Sequence, residues 1–413
     1  MKKQSTRRHF LELSLLSPSL LLSSMNYGWK KSIDPPLKEQ TILERSNLNN
    51  PVIIKDVELL RYRDNFICRV RSDQGAEGIS VSNNMQMVSL YPIFTERLQP
   101  FFVGKDARML EALLEEVYVY RSNYKLQSLA LWVPLATIEF AILDLLGNLS
   151  KLPIANLIGD RQRDKIAVYQ ANNYRGKTAT ESIELIKQDV YGSNAKALKF
   201  KIGGRMSKNA DDPPGRTEAL IPLIRKTFGD SMTIYADSNG SYDVKEAIRI
   251  GRLLEEYKID FYEEPVPFDW YEETKAVADQ LNIPVAGGEQ EPSLHQFKWL
   301  IQNDGLDIVQ PDIFYFGGMI RSYKVAMMAN ARNKMCVPHI SGSGLGYLYM
   351  MHFVSILPNA GPFHEFKGFN QEIPFECETS DLNSDGGEIK VPSGPGLGIK
   401  IDPDFIAKHV KVN

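Results

Sequence analysis

Six ionisable residues, Asp237, Glu263, Glu289, Asp312, His339 and Glu365, recur along the second half of the chain at steps of 26, 26, 23, 27 and 26 residues. A strand, a crossover helix and two short loops need roughly that many residues, so the repeat predicts successive parallel strands, each ending in a chemically active side chain. The local sequences fit. Thr-Ile-Tyr-Ala-Asp237, Asp-Phe-Tyr-Glu263, Pro-Val-Ala-Gly-Gly-Glu289 and Asp-Ile-Val-Gln-Pro-Asp312 are short apolar runs that turn polar at their carboxyl ends. Closing βα units into a barrel gathers such ends on one face, the face that carries the active site in barrel enzymes.

The fold class expected is α/β, a modified TIM-type (β/α) barrel preceded by an α+β capping domain. The 413 residues, 43% of them hydrophobic, are enough to bury one large domain and a smaller one. Residues 1–50 read as a leader and linker. Residues 51–165 form the capping domain: apolar runs from Val52 and Phe66, a turn at Asp73-Gln-Gly75 and a run from Gly78 make an antiparallel meander. Helical periodicity follows over 87–98, 107–119 and 134–149, where Leu135, Ile138, Ala141, Ile142 and Leu145 share a face. The barrel spans 166–368, with crossover helices over 217–228, 243–257 and 270–281. The turn-rich segment 369–413 is expected to pack back on the capping domain.

A formal charge of −3 provides no basic field, which argues against nucleic acid or an anionic membrane as the main partner and leaves a small polar substrate. Cys68, Cys336 and Cys377 are odd in number and lack Cys-x-x-Cys spacing, so they read as reduced packing residues. Near the start, Ser5-Thr6-Arg7-Arg8-His9-Phe10-Leu11 precedes a modestly apolar stretch over 13–22 and then Ser23-Ser24. This resembles a twin-arginine export signal and predicts a periplasmic protein. The apolar stretch is too short and too serine-rich to span a bilayer, which takes about 20 residues.

Asp237, Glu263 and Glu289 would repel one another on converging unless a cation sat between them, and hard oxygen ligands in an incomplete shell select Mg²⁺. On the preceding strand, Lys199 and Lys201 flank Phe200, so the two-residue period sends both lysines into the barrel and the ring outward. Neighbouring ammonium groups and a nearby Mg²⁺ are expected to pull a lysine pKa down toward the ~7 to 8 of a general base. Asp312 and His339 end adjacent strands, where a carboxylate orients an imidazole and raises its pKa. Glu365 supplies the last strand's polar group and, if protonated, would bond a substrate carboxylate. The glycines around Gly342 lack dinucleotide-binding spacing, and phosphate-loop and serine-hydrolase elbow patterns are absent.

Together Lys199-Phe-Lys201, Asp237-Ser-Asn239, Glu263-Glu-Pro265, Gly288-Glu289-Gln290, Asp312, His339 and Glu365 resemble the mandelate racemase subgroup of the enolase superfamily, from Val52 to the C-terminus. The resemblance implies Asp237, Glu263 and Glu289 as Mg²⁺ ligands, Lys201 as base on one face with Lys199 tuning it, and the His339–Asp312 dyad on the other. It implies abstraction of the proton α to a carboxylate, followed by loss of a β-hydroxyl from a sugar acid. Racemisation, epimerisation and lactone cycloisomerisation are the alternatives, and a sugar-acid binding protein without turnover a more distant one. Substrate contacts are expected from loops near 61–64 and 80–87, and from Asn172, Asn173, Tyr174 and Asn239. A homo-oligomer is expected.

Overall fold

The computed structural model describes residues 42–412, apart from 46, 342–343 and 369–372. The leader with its arginine pair lies outside the described residues.

The meander is three antiparallel strands, β1 (Ile54–Tyr62), β2 (Asn65–Ser72) and β3 (Glu77–Val81). Helix α1 (Asn84–Ile93) follows, capped by the Asn83 side chain. The helix Leu129–Ser150 then packs against β3 and β2. It starts five residues before the expected 134, although Pro134 removes one helical donor. Burial of Leu131, Trp132 and Val133 offsets that loss, since each large apolar side chain removed from water is worth about 1.5–3 kcal/mol. By length and composition alone this helix could cross a membrane, but 89% of its most apolar window is buried inside the protein.

Eight strands make the barrel sheet: β4 (Lys165–Ala171), β5 (Ala197–Lys201), β6 (Thr233–Asp237), β7 (Phe261–Glu263), β8 (Val285–Gly287), β9 (Ile308–Val309), β10 (Met335–Cys336) and β11 (His364–Phe366). They pair in parallel in chain order from β4 to β10, with β11 beside β4. A bridge between Cys336 and Ala360, just before β11, brings the ends of the curled sheet together. The crossover helices include Arg216–Phe228, Val244–Glu256 and Tyr271–Ala278, close to the expected spans. In the C-terminal segment, Glu388–Lys390 pairs antiparallel with β4, and Val410–Lys411 pairs with β1.

Strand periodicity builds a solid floor under the barrel mouth. Tyr235 and Phe261, each two residues before a ladder carboxylate, point inward and stack with ring centroids 3.7 Å apart, and Tyr169 meets Tyr235 edge-on at 5.2 Å. Phe200 points the other way, into the cluster formed with the outer helices. Cys68 and Cys336 are buried, and all three cysteines are free.

Candidate active site

Asp237 and Glu263 are the last residues of β6 and β7, and Glu289 lies two residues beyond β8. All three are buried, and each offers an oxygen within 4.8 Å of the others. Lys199 Nζ donates to both Glu263 oxygens at 2.7 and 2.9 Å, and Gln310 Nε2 adds a third bond at 2.9 Å. Lys201 Nζ contacts Asp237 Oδ2. Burial first, and Asp237 second, push the Glu263 carboxyl up to about 8 against the pull of Lys199. At Asp237 burial is overcome by Lys201, Lys199 and Arg175, which hold it well below the usual carboxylate range. Three buried hard-oxygen donors that converge in this way fit a divalent cation such as Mg²⁺.

The lysine expectation is corrected at Lys199. Burial pulls its pKa down, but Glu263, Glu365, Tyr169 and Asp237 overcome that and hold it well above the usual value. Its ammonium is a fixed counter-charge, 3.6 Å from both Asp237 and Glu365.

On the far side of the triad, Asp312 and His339 each lie three residues beyond their strands and face one another as an isolated parallel bridge. His339 Nδ1 is 2.7 Å from Asp312 Oδ2, and its Nε2 is 3.3 Å from Glu289 Oε2 and 3.6 Å from Glu365 Oε2. Asp312 also accepts from Phe314 N, Tyr315 N and Ser341 N at 2.8, 2.9 and 2.8 Å, so His339 Nδ1 is the donor in the pair. Burial lowers the imidazole pKa, but Glu289, Glu365 and then Asp312 raise it to about 9.

A protonated Glu365 is also corrected. Burial alone would favour the acid, but Lys199, Lys367 and His339 hold the carboxyl well below its usual range, with Lys367 Nζ at 3.3 Å and Ile340 N donating at 3.3 Å. Glu365 is an acceptor beside the dyad.

The expected substrate contacts divide. Asn172, just beyond β4, is buried; its Nδ2 donates to Lys199 O at 2.8 Å, and its Oδ1 has no partner among the described residues. Asn173 is exposed. Tyr174 is not brought to the carboxylates: its hydroxyl donates to Asp189 at 2.7 Å and its ring packs with the outer-helix cluster, because the chain has already turned toward the next helix. Asn239 Nδ2 is within 3.4 Å of Asp237 and 3.3 Å of Glu264, while its Oδ1 accepts from Arg175 at 2.9 Å. Arg175 escaped the sequence reading. Its guanidinium also donates to Gly203 O, Ile202 O and Asp237 O at 3.0, 3.0 and 3.2 Å, tying the ends of β5 and β6 into one frame. Only its position one residue after Asn172-Asn173-Tyr174 hinted at that.

A curled parallel sheet with buried carboxylates, paired lysines and a histidine–aspartate dyad at its mouth has the active-site face of a barrel enzyme. Residues 181–405 match the enolase C-terminal domain-like family, and the chain belongs to that family. It is 27% identical over 304 residues to the arabinonate dehydratase of Saccharolobus solfataricus, covering 74% of this chain and 79% of the relative. It is 26% identical over 319 residues to the D-galactarolactone cycloisomerase of Agrobacterium fabrum, covering 75% and 82%. Among solved structures, a mandelate racemase/muconate lactonizing protein from Paracoccus denitrificans, complexed with magnesium, superposes with a TM-score of 0.78 at 26% identity, covering 88% of this chain and 99% of that one.

Proposed function

We propose that this protein is a Mg²⁺-dependent sugar-acid dehydratase that removes the proton α to a carboxylate and eliminates a β-hydroxyl. The observation that carries the reading is the order around the mouth: Lys201 on β5, the carboxylates of β6 to β8, then Asp312 and His339 beyond β9 and β10. Asp237, Glu263 and Glu289 would hold Mg²⁺, which when bound supplies positive charge to offset the charge developing on the substrate carboxylate. Lys201 takes the α-proton from one face. His339, oriented by Asp312 and kept protonated at neutral pH by its carboxylate neighbours, gives a proton to the departing hydroxyl from the other. Lys199 and Glu365 hold the charge balance between them. The arabinonate dehydratase relative supports this reaction.

A second reading, lactone cycloisomerisation, uses the same α-carbon chemistry and is favoured by the similarity to the galactarolactone cycloisomerase. Screening mono- and diacid sugars and their lactones with Mg²⁺ separates the two. Loss of one water from an open-chain acid, giving a 2-keto-3-deoxy product, supports dehydration, and conversion of a lactone to a ring-opened isomer of unchanged mass supports the second reading. The Arg7-Arg8 leader supports export to the periplasm.

A further inference from the structure

The end of β3 is fastened to elements outside the meander on both sides. The Tyr349 hydroxyl accepts from Val81 N at 2.7 Å and donates to Val81 O at 3.0 Å. Ser80 Oγ donates to Thr137 O at 2.6 Å, and Ser82 Oγ lies 3.0 Å from Thr137 Oγ1. The chain therefore arrives at Asn83 with little freedom, and the Asn83 side chain is itself buried.

The Asn83 carboxamide bonds in two directions. Its Oδ1 accepts from Gln86 N at 3.3 Å and caps α1. Its Nδ2 crosses to the barrel and donates to Ser341 Oγ at 2.5 Å and Ser341 O at 3.3 Å. Ser341 N in turn donates to Asp312 Oδ2, the oxygen that holds His339 Nδ1. A second route runs beside it: Gln86 Nε2 donates to the Tyr315 hydroxyl at 3.2 Å, and Tyr315 N binds the other Asp312 oxygen. All of these groups except Gln86 and His339 are buried, so water does not readily replace a lost bond.

We propose that Asn83 and Ser341 are positioning residues for the acid: through Asp312 they set the orientation of the His339 imidazole, so that it is aligned only when α1 is seated on the barrel. Neither touches the reacting atoms. The carboxylate that fixes the imidazole is held by a chain of hydrogen bonds reaching back to the first helix of the meander region. Misplacement of a catalytic group by about 1 Å can cost on the order of 100-fold in rate, so a single lost bond in such a chain is measurable. The inference rests on the proposed reaction only for which chemical step suffers.

The test uses the full chain with ¹⁵N-labelled histidine, the His339 Nδ1–H signal being assigned by its loss in His339→Asn. Asn83→Ser keeps a hydroxyl that can cap α1 but loses the donor that reaches Ser341. Ser341→Ala removes the Oγ acceptor, the shorter of the two bonds from Asn83, and is a second, independent variant should the first not fold. In either folded variant the His339 Nδ1–H should exchange with water at least about 10-fold faster than in the wild type, and product formation should fall about 10- to 100-fold in kcat, the range typical of losing a group that orients a functional side chain. KM and Mg²⁺ affinity should stay near wild type. The double variant should be no worse than the poorer single, because both cut one route. An unchanged His339 signal in a folded variant overturns the proposal. So does a rise in KM at constant kcat, which would make Asn83 a substrate contact. A wild-type protein that shows the signal but converts no sugar acid would defeat the proposed reaction and leave this inference standing.

Discussion

Glu289 Oε2 stands 3.3 Å from His339 Nε2, so the last of the three clustered carboxylates touches the imidazole assigned as the acid. On the proposed reaction, cation binding and proton delivery would share one residue. Removing the Glu289 charge should weaken Mg²⁺ binding and also remove the foremost of the charges that raise the His339 pKa. Glu289→Gln should lower Mg²⁺ affinity by at least about 10-fold and abolish measurable turnover. Calorimetric Mg²⁺ titration checks the first effect. Wild-type turnover that survives EDTA would contradict the second.

Asp312→Asn should uncouple the dyad. The substituted amide still accepts through its oxygen, but it no longer supplies the negative charge that helps keep His339 protonated at neutral pH. Product formation should fall by about 10²- to 10⁴-fold, the range expected for loss of general acid catalysis. The alkaline limb of the pH–rate profile should also move to lower pH. A profile that keeps its position while the rate falls would assign Asp312 a purely steric role.

Stability should depend on pH through a histidine away from the site. His352 is fully buried, donates Nε2–H to Leu397 O at 3.0 Å, and its Nδ1 has no partner among the described residues. Burial lowers its pKa to about 4 against the Leu397 bond, so the folded protein prefers the neutral ring. The folded pKa lies below the unfolded value of about 6.5, so this contribution is complete above pH ~6.5 and is lost as pH falls through about 4, on the order of 3 kcal/mol in all. His352→Gln, which keeps a donor to Leu397, should flatten the decline in urea midpoint between pH 7 and pH 4. An equal decline in both proteins would rule His352 out as its source.

Changing Arg7 and Arg8 together to lysine should hold the protein in the cytoplasm, because a twin-arginine receptor reads the guanidinium pair and lysine does not present it. Fractionation of expressing cells measures this. Undiminished delivery to the periplasm would contradict the export reading.

The ladder was legible because a parallel strand imposes both a period and a polarity. Asp237 and Glu263 terminate their strands, and the alternation at Lys199, Phe200 and Lys201 follows from the two-residue repeat. Charge states were less legible. Lys199 is set by partners on four strands, and Glu365 by partners on β5 and in the loops after β10 and β11, a convergence that linear spacing does not show. Past the strand ends the reading failed at Tyr174, where the loop turns away toward a helix. Arg175, which bonds backbone carbonyls, left no pattern to read, and the Asn83–Ser341 contact joins residues 258 positions apart.

The most direct measurement of the central claim is exchange of the substrate's α-hydrogen with deuterated water in the presence of Mg²⁺. If Lys201 and His339 serve the two faces of one α-carbon, wild-type protein should exchange it, and His339→Asn should still exchange while forming no product. The Lys201→Ala/His339→Asn double variant, folded and still binding Mg²⁺, should exchange nothing above background. Undiminished α-hydrogen exchange in that double variant would contradict the assignment of proton transfer to these two residues.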